Sequence, residues 1–265
     1  MEKLGIVLSG GGVRGLAHVG LLKALGEMGI APQYISGSSS GALVGALYAA
    51  GHEAEDMLEF FKTTPVFNFS YYSSKKPGLI DSEKYRIYFE RYFPEDKIES
   101  LNKSLFITAT DIAEGQYRVF SKGPIIRPLL ASASLPPVFS PVEIDGRLLS
   151  DGGIMNNFPV EPLRPHCRNI IGSFVNPIKP MKARELSNTM KVFQRALDLK
   201  FYTSSKSKFH YCNYIFEPGS LYKYGILDTR HIDDIFQIGY TYAISKMAEI
   251  VKAIETEGKL RKIVA

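Results

Sequence analysis

The chain has 265 residues, of which 45% are hydrophobic and 22% charged, with 32 Lys and Arg against 27 Asp and Glu for a net charge of +5. This balance excludes a disordered polymer, and the length is enough for a large core in one α/β domain or two small ones. The longest apolar run, residues 42–50, is far short of the ~20 residues that cross a bilayer, which excludes a membrane-spanning helix. Cys167 and Cys212 are too few for a disulfide scaffold and suit a reducing compartment. The first apolar run, residues 4–8, is too short for a signal-peptide core, so a cytoplasmic location is expected. A small surplus of Lys and Arg, scattered apart from one modest cluster at Lys200, Lys206 and Lys208, does not point to nucleic acid.

In chain order, residues 4–9 read as a strand, Gly10, Gly11 and Gly12 as a turn, and Leu16, Val19, Leu22, Leu25 and Met28 as the apolar face of a helix ending at Gly29. Tyr34, Ile35 and Ser36 form a second strand, the run from Gly37 to Gly41 a second turn, and residues 42–50 a second helix stopped by Gly51. Residues 53–63 are expected to be helical, 65–80 a long aromatic loop, and 82–92 a helix. Residues 105–110 and 117–120 read as a strand pair, 124–133 as a helix, and the proline-rich stretch 134–141 as irregular. Strands at 142–144 and 148–150 flank Asp145-Gly146, a hairpin signal. A strand at 170–175, a helix at 185–201, a strand at 211–216 and a helix at 232–254 complete the alternation. It implies one α/β domain, residues 1–265, around a mostly parallel sheet.

The first turn, Gly10-Gly11-Gly12-Val13-Arg14-Gly15, has the spacing of a dinucleotide fingerprint. That site also needs a carboxylate about 20 residues on to hold the ribose, where this chain has Ile35, Ser36 and Gly37. The other use of such a turn is to aim unpaired amide N–H groups at a negative oxygen, which makes an oxyanion hole. Gly37-Ser38-Ser39-Ser40-Gly41 fits the nucleophile-elbow pattern, which turns a strand sharply into a helix and leaves the central Ser39 at the apex. Ser36, Ser38 and Ser40 read as turn and cap residues. A serine nucleophile needs a base within hydrogen-bond reach. None of His18, His52, His166, His210 and His231 has a catalytic setting, although a histidine base stays open; Asp151, in Asp151-Gly152-Gly153 at the end of a strand, is the other candidate.

Four ordered blocks resemble the patatin-like phospholipases, serine lipid acyl hydrolases with a Ser-Asp dyad. They are the first glycine turn with Leu16-Ala17-His18, the elbow around Ser39, the stretch 131–141, and Asp151-Gly152-Gly153 with Asn156, Asn157 and Pro159. The resemblance spans about residues 4–175. It implies a three-layer α/β fold with a central, mostly parallel sheet flanked by helices. It assigns Ser39 as nucleophile, Asp151 as base, and the turn of Gly10, Gly11, Gly12, Val13 and Arg14 as oxyanion hole, with Gly15, Gly37, Gly41, Gly152 and Gly153 as supporting motif residues. The implied reaction is hydrolysis of fatty-acyl esters of phospholipids or related lipids, with no cofactor and no metal.

Within the aromatic loop, Phe67, Phe69, Tyr71 and Tyr72 are candidates for a lid, and Lys75 and Lys76 for contact with an anionic interface. Lys200, Lys206 and Lys208 mark a region read as a solvated basic face, with a partner surface or peripheral contact at the inner face of a membrane as the other readings. Two rivals to the hydrolase are a catalytically weak regulatory or interaction protein of the same fold and a dinucleotide-binding protein. The first leaves intact Ser39 and Asp151 unexplained, and the second accounts for only the first turn.

Overall fold

A computed structural model of the chain describes residues 3–65, 69–73 and 76–262, with backbone alone at Phe69 and at residues 256–262. Its strands are β1 (Leu4–Leu8), β2 (Tyr34–Ser38), β3 (Ser104–Asp111), β4 (Gln116–Phe120), β5 (Val142–Ile144), β6 (Arg147–Asp151), β7 (Asn169–Ser173) and β8 (Tyr214–Phe216). The helices are α1 (Leu16–Glu27), α2 (Ser40–Ala50), α3 (Ala54–Thr63), α4 (Arg86–Glu90), α5 (Ile126–Ser132), α6 (Gly153–Asn156), α7 (Thr189–Lys206) and α8 (Ile232–Lys262).

All eight strands share one sheet in the order β5-β6-β3-β2-β1-β7-β8, with β4 also on β3. The run β3-β2-β1-β7-β8 is parallel, while β4 and β6 meet β3 antiparallel and β5 pairs antiparallel with β6. Because side chains alternate along a strand, β1 serves two cores. Ile6 and Leu8 join the larger one, which includes residues of α1, α2, α3, α5 and α8. Val7 joins a smaller one with Phe158, Val160, Leu163 and Phe174, against which Tyr202 of α7 packs. Both faces of the sheet are therefore covered, as near-continuous apolar parallel strands require.

β3 changes partner along its length. Ser104 to Thr108 pair with β2, where Thr108 lies opposite Ser38, and the next residue, Ala109, lies opposite Asp151 of β6. This register brings the end of β6 beside the end of β2.

Several elements differ from their expected bounds, each for a local reason. Residues 82–85 form a 3-10 turn before α4, with the Asp81 carboxylate accepting from the Glu83 amide. Helix α7 starts at Thr189 rather than near 185, because the Asn188 side chain caps it by accepting from the Lys191 amide at 3.0 Å. The strand expected at 211–216 starts later: Tyr211 ends a 3-10 turn, Phe209–Tyr211, and β8 is confined to Tyr214–Phe216. The N-terminus of α5 is closed by Asp96, whose Oδ1 accepts from the amides of Ile125 and Ile126.

Helices α1 and α8 cross at backbone contact through Gly20 and Gly239. A Cβ at Gly20 would collide with the Tyr240 amide and the Phe236 carbonyl, and one at Gly239 with the backbone of Ala17. Gly20→Val is expected to force the helices apart and lower stability by about 1–3 kcal/mol or more in thermal unfolding. Gly26, in the same helix, is exposed and a Cβ there meets nothing within 4 Å, so Gly26→Ala is expected to raise stability by about 0.5–1 kcal/mol.

Candidate active site

β1 and β2 run parallel with Leu8 opposite Gly37, so the turns that follow them lie side by side at the carboxyl end of the sheet. The first turn becomes a 3-10 segment, Gly12–Gly15, that runs into α1. In the second, Ser39 sits between β2 and α2 with φ 51° and ψ −129°, a conformation rare for any residue but glycine. Its amide donates to Ser132 Oγ at 2.9 Å, which holds the elbow against the end of α5.

Ser39 Oγ donates to Asp151 Oδ2 at 2.6 Å, across 112 positions of sequence. The other carboxylate oxygen, Oδ1, accepts from the Gly153 amide at 2.7 Å. Backbone bonds fix Asp151 further: its amide donates to the Ser134 carbonyl at 3.0 Å, and its own carbonyl accepts from Thr110 Oγ1 at 2.8 Å. The carboxylate is buried, and burial raises its pKa to about 6, against the lowering effects of Ser39, the Gly153 amide and Lys200. An aspartate held there is a better base toward an alcohol than an exposed one.

Of the five residues expected to form an oxyanion hole, three have their amides taken. Gly10 donates to the Asn157 carbonyl at 3.1 Å, Val13 to the Ile226 carbonyl at 2.8 Å, and Arg14 to the Gly11 carbonyl at 3.2 Å. Among the described residues, the amides of Gly11 and Gly12 have no partner, and both residues line the cavity that holds Ser39 and Asp151. Gly12 has φ 57°, and a Cβ on it would collide with the Ile226 carbonyl, so glycine is required there.

The Arg14 side chain is also committed elsewhere. Its fully buried guanidinium donates through Nη1 to Asp198 Oδ1 at 2.8 Å, through Nη2 to Asp198 Oδ2 at 3.3 Å, and through Nε to the Tyr224 carbonyl at 2.8 Å. Nη1 also reaches Asn176 Oδ1 at 3.4 Å, while Asn176 Nδ2 donates to the Gly10 carbonyl at 2.6 Å. Arg14 therefore anchors the turn to α7 and to residue 224 rather than offering its side chain to an oxyanion.

The neighbouring serines also differ from the expected caps. The hydroxyls of Ser36, Ser38 and Ser40 are buried with no hydrogen-bond partner among the described residues. They serve as small side chains at tight contacts, Ser38 against Gly152 and Ser40 against Gly15. Gly37, Gly41 and Gly153 likewise sit where a Cβ would meet neighbouring atoms: Gly37 against the Gly41 carbonyl, Gly41 against the Leu8 and Ser9 carbonyls, and Gly153 against Asn157 Oδ1.

No histidine lines the cavity. His18 is buried with its pKa lowered to about 4 by desolvation; Nε2–H donates to the Ser9 carbonyl at 2.9 Å, and Nδ1 accepts from Ser173 Oγ at 2.7 Å. This neutral ring ties α1 to β7. His52 donates from Nε2 to the Tyr92 carbonyl, and His166 stacks on Tyr34 and Phe106.

The cavity is otherwise lined mostly by apolar residues, with Leu43, Phe60, Phe61, Phe89, Leu130 and Phe139 among its walls. Of the lid candidates, Phe67 lies outside the described residues, as does Lys75, and Phe69 is described in backbone only, in the 3-10 turn Phe69–Tyr71. Tyr71 packs edge-on against Tyr85 at 5.2 Å, whereas Tyr72 is exposed, and neither lines the cavity. Lys76 pairs with Asp81 at 2.9 Å and with Glu83.

The sequence reading missed Asp198, Asn176, Tyr224 and Ile226, all from beyond residue 175. One signal was present: Asp198 is the sole carboxylate in α7, on a helix otherwise charged only by Lys and Arg.

A family model described as patatin-like phospholipase matches residues 6–164, more than half of the chain. An uncharacterized NTE family protein of Mycobacterium tuberculosis is 34% identical over 163 residues, covering 61% of this chain and 45% of that protein. Lysophospholipase nte1 of Neosartorya fischeri is 28% identical over 97% of this chain and 19% of its own length. Patatin-like phospholipase domain-containing protein 6 of Homo sapiens is 28% identical over 90% of this chain and 20% of its own length. The chain thus spans less than half the length of each of these relatives. Among solved structures, VipD from Legionella pneumophila matches with a TM-score of 0.61 over 94% of this chain and 67% of that one, at 13% identity, a likeness of fold. With its central sheet flanked by helices and its ordered motif blocks, the chain belongs to the patatin-like phospholipase family.

Proposed function

We propose that this protein is a serine acyl hydrolase that cleaves fatty-acyl esters of phospholipids or related lipids through Ser39 and Asp151. The observation that carries the reading is the 2.6 Å bond from Ser39 Oγ to a buried Asp151 carboxylate, in the wall of a largely apolar cavity. In this mechanism Asp151 takes the Ser39 proton as Oγ attacks the ester carbonyl carbon. The negative charge that develops on the carbonyl oxygen is met by the amides of Gly11 and Gly12, donors of a kind worth about 3–4 kcal/mol each. Collapse expels the alcohol, which leaves with the proton from Asp151, and forms an acyl-enzyme. Water then attacks the acyl carbonyl carbon as Asp151 takes its proton; collapse breaks the bond to Ser39 Oγ, and the proton passes from Asp151 to Oγ, which releases the fatty acid and restores Ser39. The apolar walls accommodate the acyl chain. Esters suit this dyad better than amides, because an amide carbonyl is less electrophilic and a carboxylate is a weak base for activating the serine.

Ser39→Ala and Asp151→Asn are each expected to fold and to lower turnover of p-nitrophenyl acyl esters by about a thousandfold or more. A fully active Asp151→Asn would remove the carboxylate from the mechanism.

The pKa of about 6 at Asp151 sets an acid limb: kcat/KM is expected to fall about tenfold per pH unit below about pH 6. The same shift has a stability counterpart. Folding raises this pKa above the ordinary carboxylate value, so the folded state binds the proton more tightly and the ionised carboxylate costs stability as pH rises. Asp151→Asn avoids that cost. Its stability advantage is expected to be absent below about pH 4 and to approach about 3 kcal/mol above pH 6, in urea titrations at a series of pH values.

A further inference from the structure

Helix α7 buries more polar than apolar residues: its buried positions are Asp198, Phe201 and Ser205, whereas Val192, Ala196, Leu199 and Thr203, spaced at helical intervals on one stripe, are exposed. Met190 is 63% exposed, Val192 50%, Phe193 42% and Leu199 44%. A solvent-facing helix ordinarily shows the reverse pattern. Just upstream, Met181 is exposed as well.

The charge on this segment is equally unusual. Residues 179–208 hold eight Lys and Arg against two carboxylates, Glu185 and Asp198, a surplus of six in a chain whose whole net charge is +5. The remainder of the chain is therefore slightly acidic. Asp198 is spent on Arg14, which leaves Glu185 as the exposed carboxylate of the segment. Lys191, Lys200 and Lys206 are exposed beside the apolar stripe.

The helix also borders the candidate active site at three points. Asp198 grips Arg14 of the oxyanion turn, Lys200 Nζ donates to the Ile154 carbonyl, and Phe201 lines the cavity that contains Ser39.

We infer that the exposed face of α7 is a docking surface for an anionic lipid bilayer, which places the cavity at the membrane where an acyl ester enters it. The charge surplus selects an anionic surface, and the apolar stripe suits insertion into the headgroup region. The inference rests on the acyl-hydrolase reading for the purpose of docking, while docking itself is measured without turnover.

The test is sedimentation of the full Ser39→Ala chain with vesicles of phosphatidylcholine alone and with about one third phosphatidylglycerol, at two salt concentrations. Binding is expected on the anionic vesicles, to weaken with salt, and to be absent on the neutral ones. In the same background, Val192→Asp with Phe193→Asp is expected to weaken binding more than tenfold, and Lys191→Gln about fivefold, with thermal unfolding unchanged. Because these side chains are exposed, the variants test the surface rather than the fold. Binding that is equal on neutral vesicles, or unchanged in the variants, overturns the proposal. So does a dimer in light scattering that Phe193→Asp dissociates while no vesicles are bound, which assigns the face to a second copy. Hydrolysis of soluble esters by the wild type reports separately: turnover without vesicle binding sinks the docking surface alone, and vesicle binding without turnover sinks the hydrolase reading alone.

Discussion

The candidate site depends on holding a carboxylate out of water against a serine hydroxyl. An isolated buried aspartate is costly, and this one is held by a serine hydroxyl on one oxygen and a backbone amide on the other. The strand β3 makes that arrangement reachable. By pairing with β2 through Thr108 and with β6 from Ala109 onward, it carries the ends of two distant strands to adjacent positions. The mixed character of the sheet at this edge is thus part of the site: a parallel strand supplies the elbow, and an antiparallel one supplies Asp151. Burial then raises the Asp151 pKa, so the packing that costs stability is also what would make the carboxylate a useful base in the proposed mechanism.

The glycine turn is bare of side chains and needs outside support to hold a shape. It receives that support from the far end of the chain. Arg14 sends its guanidinium to Asp198, Asn176 and the Tyr224 carbonyl, Asn176 returns a bond to Gly10, and the Ile226 carbonyl takes the Val13 amide. Removing one partner of such a buried pair leaves a charge without compensation, which commonly costs about 3–5 kcal/mol. Asp198 must therefore face inward, and that requirement helps explain the reversed polarity of α7. One ion pair shapes both the glycine turn inside and the apolar, cationic face outside.

Close approach is the other recurrent device. The elbow is a strained backbone at Ser39, kept in place by the Ser132 hydroxyl and by neighbours that are all glycine or serine. Ser36, Ser38 and Ser40 contribute small volume, and their hydroxyls go without partners. The same economy of side chains lets α1 and α8 touch through Gly20 and Gly239, so that the helix that follows the glycine turn is braced by α8.

Apart from Asp151, which the family resemblance selected among the candidate bases, sequence by itself determined the α/β class, the two glycine-bounded turns and Ser39 at the apex of an elbow. These are legible because they are local: glycine spacing, strand-turn-helix order and hairpin signals all act over a few residues. Tertiary structure alone decided that Ser39 and Asp151 touch, that Gly11 and Gly12 rather than Val13 or Arg14 keep free amides, and that Asp198 and Ile226 belong to the site. Those facts depend on strand register and on contacts between residues more than a hundred positions apart, for which no local spacing exists. The face of α7 shows the same division. Its run of lysines, arginines and apolar residues can be read directly, but which stripe turns outward was settled by where Asp198 found its arginine.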